Sequence, residues 1–323
     1  MINHSSAVGH EPPTQPTAAP RRILMEVGPF RLEEKMATGG MAEVYLAHHY
    51  RRPESRVVIK LQSEGKERRI YHDLWEQETN RLNEMRHPNI VRLCPFEDQQ
   101  GQTMLLGEAS NLPYHPKYFA LEYVAGGSLK NYLQAQKNFP FGWRLELFYQ
   151  IIITLKYMHT LNWAHCDLKP GNVLFRAPPT EYALPRVVLI DFGSVSPVNR
   201  LTYRVGTPCY AAPEMIYAIQ RPDVRPDFVI PSRADVWSLG ALLFEIIAGR
   251  PLVNEQDTER AHDSTIRGQF DSLTDVAPKT PRKLADLVIA MTAKEAGKRP
   301  SLAQVINALE QIRMPPFFPR AAA

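Results

Sequence analysis

Hydrophobic and polar residues alternate along the first third of the chain, and this pattern predicts short β-strands. Phe30-Arg31-Leu32 and Val44-Tyr45-Leu46 form two such segments, joined by a turn at Thr38-Gly39-Gly40. The β-branched run at residues 57–61 predicts a third strand, and further strands are predicted at 91–93 and 118–124. Residues 97–116 are polar with Gly and Pro, which indicates a long hairpin excursion.

The remaining segments have mostly helical spacing. Residues 67–85 are charge-rich, with apolar side chains near helical intervals, and predict one helix in the first part of the chain. After Gly126-Gly127, residues 143–161 carry a broad apolar face. A buried strand is predicted at 187–190, and further helices at 234–247, 284–291 and 302–312. We therefore expect an α+β fold of two lobes.

The predicted boundaries follow from these changes in pattern. A small antiparallel-sheet N-lobe with one main helix is expected at residues 28–124, and a larger helical C-lobe at 125–312. Residues 1–27, rich in Pro, Ala, Thr and Ser, are expected to be a disordered leader. Residues 313–323 are expected to form a non-helical tail.

Composition narrows the class of protein. The chain has 323 residues, 44% of them hydrophobic, and a formal net charge of +4. No dense Lys/Arg run accompanies this small charge, so no nucleic-acid partner is expected. The longest apolar runs are interrupted by Lys156 and Glu245 and fall short of the roughly 20 residues that a membrane span needs.

Cysteine use and the N-terminal sequence indicate a cellular compartment. Cys94, Cys166 and Cys209 are odd in number and widely spaced. This argues against a disulfide framework or a tetrahedral metal site and favours a reducing environment. The N-terminal residues lack the charged and apolar regions of a signal peptide. We expect a cytoplasmic protein.

Two polar segments are candidates for chemistry. Asp167, Lys169 and Asn172 lie within six residues, between a helical apolar run and a short apolar run. Asp191 ends the strand predicted at 187–190 and is followed by Phe192-Gly193. Carboxylate and amide oxygens suit a hard cation such as Mg²⁺. A lone strand lysine is usually a solvated edge charge, but the apolar neighbours of Lys60 favour a buried and paired lysine.

These motifs occur in an order that resembles a known family. The series D-x-K-x-x-N, D-F-G, Gly206-Thr207 and Ala212-Pro213-Glu214 is similar to that of eukaryotic-type (Hanks-type) protein kinases, over about residues 28–312. The segment 39–47 looks most like the bacterial serine/threonine branch. The resemblance implies a serine/threonine kinase that uses ATP and Mg²⁺ and acts on protein substrates. Autophosphorylation and self-association are further hypotheses about partners.

The resemblance also assigns roles to matching positions. Asp167 would accept or orient the proton of the substrate hydroxyl, Lys169 would steady the γ-phosphate, and Lys60 would hold the α- and β-phosphates. Asn172 and Asp191 would be metal ligands. The implied nucleotide-binding residues are Ala37, Thr38, Gly39, Gly40, Met41, Ala42, Val44, Val58, Lys60, Glu78, Leu121, Glu122, Val124 and Leu174.

Within this set, the partner of Lys60 has alternatives. Counting back from His87-Pro88-Asn89 gives Glu78, with Glu76 and Glu84 nearby. The resemblance further implies that Leu121 is the gatekeeper. In the hinge, Glu122 and Val124 would meet adenine through backbone groups.

Several other positions are expected to have structural or specificity roles. His165 is expected to be a packed core histidine that supports Phe192. Asp235 and Trp237 are expected to anchor the central helix, and Arg299 to pair with Glu214. Lys169 with Thr207 is similar to the serine/threonine class. In the family, acidic residues at the positions of Ser128 and Gly171 often bind an arginine of the substrate upstream of its phosphosite. Their absence here predicts no strong preference for basic substrates.

Four departures from the family pattern keep other functions open. Ala37 and Ala42 replace glycines of the phosphate-covering loop and resist positive φ, and Val58 adds bulk above the adenine site. Cys166 replaces an arginine that clamps an activation-segment phosphate, so phosphorylation of Ser196, Thr202 or Tyr203 is not expected to be an on-switch. Burial is the expected role of Cys166, rather than redox chemistry.

These departures favour an alternative, a pseudokinase that acts as a binding scaffold. Lys60, Asp167, Asn172 and Asp191 oppose it, because they are the groups that phosphoryl transfer can least lose. A small-molecule phosphotransferase would share the loop at 165–172 but lacks a segment like residues 206–214, so it is the weakest of the three hypotheses.

Overall fold

The computed structural model describes residues 22–39, 42–63, 72–98, 100–135, 139–180, 183, 185–202 and 206–312. Several sequence predictions fall outside these ranges. They are the leader up to residue 21, Gly40 and Met41 of the predicted glycine turn, the first part of the helix predicted at 67–85, Tyr203, and the tail at 313–323.

The described part of the N-lobe is built on an antiparallel sheet. Its strands have the spatial order β1-β2-β3-β4-β8-β7, and a separate short hairpin, β5–β6, precedes β7. One helix, α1 (His72–Glu84), packs beside the sheet. The strands are β1 (Met25–Val27), β2 (Phe30–Thr38), β3 (Ala42–His49), β4 (Arg52–Gln62), β5 (Phe96–Glu97), β6 (Thr103–Met104), β7 (Gly107–Glu108) and β8 (Lys117–Glu122).

Strand register explains why the sheet has two different faces. Val44 pairs with Lys60, and Val58 pairs with Leu121, so these four side chains lie on the same face. Because side chains alternate along a strand, the residues between them point to the opposite face. There they form a separate core with, among others, Tyr45, Ile59, Leu61, Tyr118 and Ala120. One face therefore builds a core, and the other is free to line a cleft.

The N-lobe begins earlier than the sequence predicted. Met25–Val27 is a strand rather than part of a leader, because Val27 is fully buried and pairs with Phe30 across the turn at Gly28. Gly28 has φ +52, the left-handed region that glycine adopts without strain. The predicted boundary at residue 27 is therefore wrong by at least three residues.

The strand predicted at residues 91–93 is also wrong. This segment makes only isolated bridges: Ile90 pairs with Leu189 of the C-lobe, and Leu93 pairs with Leu121. Val91 donates its amide hydrogen to the carbonyl of Leu189 at 3.0 Å. The apolar residues that resembled a strand are buried by the other lobe, which sequence periodicity does not distinguish from burial by a sheet.

The C-lobe is mainly helical, as predicted. Its central helix is α5 (Pro231–Ala248), which is buried along most of its length and begins with proline, a residue suited to the first helical turn. The other described helices are α2 (Leu129–Gln134), α3 (Phe141–Thr160), α4 (Pro213–Gln220), α6 (Thr258–Arg267), α7 (Leu273–Val276), α8 (Arg282–Met291) and α9 (Leu302–Ile312).

Short strands on the cleft side of this lobe carry the loops of interest. β10 (Val173–Phe175) pairs with β11 (Val187–Leu189), and β9 (Trp163–Ala164) pairs with β12 (Ser196–Pro197). The loop that carries Asp167 connects β9 to β10, and Asp191 follows shortly after the end of β11. Among the described residues, no helix is long and apolar enough to cross a membrane.

Candidate active site

The loop between β9 and β10 is held from below by the central helix. Asp235 of α5 accepts hydrogen bonds from the backbone amides of His165 and Cys166, each at 2.8 Å. Cys166 has φ +65, a conformation that is costly for a non-glycine residue. The buried carboxylate stabilises this turn, so the expected anchoring role of Asp235 agrees with its position.

The polar side chains of this loop converge on Asp167. Lys169 Nζ lies 2.6 Å from Asp167 Oδ2, and Thr207 Oγ1 donates to Asp167 Oδ1 at 2.8 Å. Lys169 Nζ also contacts Thr207 Oγ1 at 2.8 Å. Asn172 Nδ2 donates to the Asp167 carbonyl at 2.8 Å, which leaves its side-chain oxygen as the acceptor. The carboxylate of Asp167 is thus oriented by three neighbours.

A second polar group lies on the cleft face of the sheet and α1. Lys60 Nζ is 2.7 Å from Glu78 Oε1 and 3.0 Å from Asp191 Oδ1. Glu76 instead pairs with Lys117 at 2.8 Å, and Glu84 Oε2 lies 3.4 Å from the indole nitrogen of Trp163. Among the three glutamates considered, Glu78 is therefore the partner of Lys60.

Neighbouring charges favour the ionised forms of Lys60 and Asp191, whereas burial raises the pKa of Glu78 above its usual range. Burial would lower the pKa of Lys60, but the carboxylates of Asp191 and Glu78 raise it above its usual range. The ammonium of Lys60 lowers the pKa of Asp191 to about 2 against the effect of burial. The stabilisation from ionised Asp191 is therefore present above its ordinary pKa of 3.8 and is lost as the pH falls toward 2.

The Asp191-Phe192-Gly193 segment turns the aspartate into the cleft. Asp191 has φ +65, and its half-exposed side chain faces Lys60. Phe192 is fully buried, with its ring centroid 5.5 Å from that of His165. His165 is itself fully buried, as expected of a packed core histidine.

The structure describes the two ends of the predicted phosphate-covering loop. Ala37 and Thr38 are exposed at the end of β2, and the Gly39 amide donates to the Ala42 carbonyl at 2.8 Å. Ala42 is buried and belongs to the same core as Trp75 and Phe119. Ala42 also contributes to the lining of the cleft, beside Gly39 and Lys60.

The other predicted nucleotide-binding residues lie on the sheet face that carries Lys60, in β10 and in the connection between the lobes. Val44, Val58 and Leu121 share the cleft face of the sheet. Leu174 lies in β10, where it pairs with Val188 and bridges to Ser128. Val124 is buried in the connection between the lobes. None of these five residues is among those that line the cavity beside Lys60 and Asp167.

Glu122 has a side-chain role that the sequence did not indicate. Its carboxylate pairs with Arg176 at 2.8 Å and with Arg92 at 3.1 Å. The two guanidinium groups lower the pKa of Glu122 below its usual range, although burial acts in the opposite direction. The sequence predicted a role only for the backbone of Glu122. Its position in the motif identifies a hinge residue, but the partners of its side chain are distant in the sequence and were not predicted.

Cys166 is enclosed by apolar residues. It packs in a cluster with, among others, Leu201, Ala211, Met215 and Trp237. Burial raises the pKa of its thiol well above the usual value, so the thiolate form is disfavoured. The structure therefore agrees with a packing role for Cys166.

Two of the three candidate phosphorylation positions, Ser196 and Thr202, belong to the described residues, and they differ in access. Ser196 is fully buried, and its hydroxyl accepts a hydrogen bond from the Thr202 amide at 3.1 Å. Thr202 is exposed. Phosphorylation of Ser196 would require this segment to open first, which leaves Thr202 as the accessible position among the described two.

The expected pair between Arg299 and Glu214 is present. The two guanidinium nitrogens lie 2.6 and 2.7 Å from the two carboxylate oxygens, and the pair is buried. Arg299 also stacks over the Trp237 ring, with its Cζ atom 5.2 Å from the centroid. This bidentate pair fixes the end of the segment that begins at Asp191.

The polar groups around Lys60 and Asp167 line one cleft between the lobes. Its walls combine two cations and three carboxylates with small residues on the covering side, and Asn172 is joined to them by its hydrogen bond to Asp167. Two oxygen donors, Asn172 and Asp191, suit a Mg²⁺ ion that completes its shell with phosphates and water. The residues present therefore fit the phosphates of a nucleoside triphosphate together with a Mg²⁺ ion. The lining includes Gly39, Ala42, Lys60, Glu78, Asp167, Lys169, Asp191 and Thr207.

The two-lobed fold and this cleft define the protein kinase class, and residues 30–309 match the protein kinase domain, so the chain belongs to that family. Rat SNF-related serine/threonine-protein kinase is 30% identical over 286 residues, which are 86% of this chain and 34% of that protein. Human serine/threonine-protein kinase ULK3 is 28% identical over 225 residues, 69% of this chain and 42% of that protein.

A third relative is covered more completely. Calcium/calmodulin-dependent protein kinase type 1 of Macrobrachium nipponense is 24% identical over 279 residues, 85% of this chain and 73% of that protein. The chain spans less than half the length of the other two relatives. All three are eukaryotic, so the expected likeness to the bacterial branch finds no support among them.

Proposed function

We propose that the protein is an ATP- and Mg²⁺-dependent protein serine/threonine kinase that transfers the γ-phosphate to hydroxyls of protein substrates. The observation that carries this proposal is the convergence of Lys60, Asp167, Asn172 and Asp191 on one cleft. A binding scaffold would not need the Lys60–Glu78 pair and the oriented carboxylate of Asp167 together. The kinase is therefore preferred over the pseudokinase.

Each side chain has a defined task in this proposal. Asp167 accepts or orients the proton of the substrate hydroxyl, and its bonds to Thr207 and Asn172 hold the carboxylate in position. Lys60, held by Glu78, binds the α- and β-phosphate oxygens, and Lys169 offsets charge at the γ-phosphate. When bound, Mg²⁺ neutralises phosphate charge.

The substrate class follows from the segment beside the catalytic aspartate. Thr207 bonds to both Lys169 and Asp167, an arrangement that supports the serine/threonine class. Ser128 caps α2 by accepting from the Asn131 amide, and Gly171 has no side chain. Neither offers a carboxylate to an arginine of the substrate, so we propose no strong preference for basic sequences upstream of the phosphosite.

We also propose a reducing compartment such as the cytoplasm. The three cysteines are free thiols, and Cys94 and Cys209 are partly exposed. Partly exposed thiols persist where the surroundings are reducing. Alkylation of acid-quenched cells, followed by mass spectrometry, should find both thiols unmodified before labelling. Reversible oxidation of most copies would contradict this location.

Radiolabel transfer from ATP tests the function directly. Purified protein with Mg²⁺ should label itself or casein, and a serine/threonine peptide library should reveal acceptors. Asp167→Asn should reduce the rate by at least about a hundredfold, because the acceptor for the hydroxyl proton is lost. Asp191→Asn should act similarly through the metal, and excess chelator should abolish transfer.

The control variants decide between the two functions. Lys298→Ala changes an exposed residue that pairs only locally with Glu295 and should leave the rate unchanged within about twofold. Equal background signals from wild type and Asp167→Asn, with ATP binding retained, would establish the scaffold instead. A peptide profile led by arginine three positions upstream of the phosphosite would contradict the proposed specificity.

A further inference from the structure

Arg81 is a buried cation on the face of α1 that carries Glu78. The two residues are three positions apart in the helix, so their side chains are neighbours. Only 6% of Arg81 is exposed. A buried guanidinium is costly unless its donors are satisfied, so its partners indicate where α1 must sit.

These partners belong mainly to the other lobe. Arg81 Nη1 donates to the carbonyl oxygen of Val195 at 2.7 Å, across 114 residues of sequence. Its Cζ atom lies 4.9 Å from the ring centroid of Trp163 in β9, which is cation–π geometry. Arg81 Nη2 also donates to Gln77 within α1 at 2.8 Å. One side chain thus ties α1 to a strand and to the segment that follows Asp191.

The C-lobe residues that Arg81 contacts are themselves held in place by burial and strand pairing. Val195 is fully buried and lies four residues after Asp191. Trp163 pairs with Pro197 where β9 meets β12. Both C-lobe partners of the Arg81 guanidinium, Val195 and Trp163, therefore have fixed positions. An outward movement of α1 would leave the Val195 carbonyl without this donor and would separate Glu78 from Lys60.

This link does not depend on a phosphate. The acceptor is a main-chain carbonyl, which is present in every modification state. Cys166 cannot supply the cation that would join the catalytic loop to a phosphorylated segment, and its side chain is enclosed in an apolar cluster. The contact that orders α1 and the start of this segment is instead made by Arg81.

We propose that Arg81 and Trp163 form a latch between the lobes that holds α1, and with it the Glu78–Lys60 pair, in the working position without phosphorylation. The consequence for activity rests on the proposed kinase function. The consequence for the position of α1 does not. Arg81 is a positioning residue in this proposal, because it acts on the cleft through Glu78.

Hydrogen exchange tests the latch without any assay of activity. In dephosphorylated full-length protein, the amides of residues 72–84 should exchange at least about tenfold faster in Arg81→Ala than in wild type, because the inward position of α1 is less populated. Arg144→Ala is the matched control. Arg144 donates to the carbonyls of Phe139 and Ile247 in the C-lobe and should not change exchange in α1.

Kinetics test the functional consequence. Arg81→Ala and Trp163→Leu should each lower kcat by about tenfold, with the KM for peptide changed less than twofold, because the cleft and not the substrate surface is affected. Trp163→Phe keeps an aromatic face and should retain at least about a third of kcat. The double variant should lose less than the product of the two single losses, because the two changes share the Arg81–Trp163 contact.

Three results would overturn the latch. They are unchanged exchange in α1 of Arg81→Ala, losses that multiply in the double variant, and equal exchange in Arg81→Ala and Arg144→Ala. If Arg81→Ala does not fold, Arg81→Lys keeps the charge without the forked donors, and unchanged exchange in α1 of that variant would count against the latch. An inactive wild type would reject the kinase function, while the exchange data would still judge the latch.

Discussion

At the scale of single residues, Cys166 shows how one substitution is accommodated. Its backbone is left-handed, and the turn is held by hydrogen bonds from two backbone amides to Asp235. Its side chain joins an apolar cluster with Leu201 and Met215. The hydrogen bonds that hold this turn to Asp235 come from backbone amides and do not involve the Cys166 side chain. The side chain determines which kind of contact can be made to the segment after Asp191.

The change Cys166→Arg should destabilise this protein. A guanidinium placed in the apolar cluster would be larger than the thiol and would lose its hydration on burial, at a cost of at least about 2 kcal/mol. Urea unfolding monitored by fluorescence measures the difference. Cys166→Ala, which keeps the environment apolar, should cost clearly less. Equal stability of Cys166→Arg and wild type would show that the cluster opens readily around a cation.

At the scale of elements, the segment from Asp191 to Glu214 is fixed at several described points. β12 pairs with β9, Leu201 is buried, and the Thr202 amide bonds to the buried Ser196 hydroxyl. At its far end, Glu214 is held by Arg299. These contacts are apolar, main-chain or internal to the unmodified chain, and none of them requires a phosphate group.

Thr202→Ala should therefore retain activity. The substitution removes an exposed hydroxyl and leaves the hydrogen bond from the backbone amide of residue 202 to the Ser196 hydroxyl intact. We therefore expect kcat to stay within about twofold of wild type. Steady-state rates with a peptide acceptor provide the measurement. Thr202→Glu should bring no gain. Loss of activity in Thr202→Ala together with recovery in Thr202→Glu would contradict the idea, because it would show a working phosphate switch.

At the scale of the whole molecule, the two lobes are joined by buried polar contacts as well as by the chain. Asn89 donates to the Val187 carbonyl at 2.8 Å, and Arg176 of the C-lobe binds both Glu122 and the Pro88 carbonyl. Arg81 of α1 adds a hydrogen bond to the Val195 carbonyl of the C-lobe. The angle between the lobes is thus set by groups far from each other in sequence.

Arg176→Ala should weaken ATP binding. Without this guanidinium the partly buried Glu122 loses its best partner, and the connection at the adenine site becomes less well ordered, so the KM for ATP should rise about three- to tenfold. Arg92→Ala is the control, since Arg92 also binds Glu122 but is 75% exposed, against 30% for Arg176. Equal effects of the two changes would contradict a special role for Arg176.

The sequence alone determined the class of the protein, because its signals are local. Alternation and helical spacing identified most elements, and the separations within 167–172 and 191–193 identified polar groups of the cleft. The apolar neighbours of Lys60 indicated a buried and paired lysine. Such patterns reflect side chains a few residues apart, which share a face or a loop whatever the rest of the chain does. The two-lobed α+β fold followed from them.

Tertiary structure decided the contacts between distant segments. Lys60 is 18 residues from Glu78 and 131 from Asp191, and only packing selects Glu78 over Glu76 and Glu84. The early strand Met25–Val27 and the bond from Arg81 to Val195 were likewise not predicted. A charged residue on an amphipathic helix ordinarily indicates a solvated face, and only a partner from the other lobe makes its burial favourable.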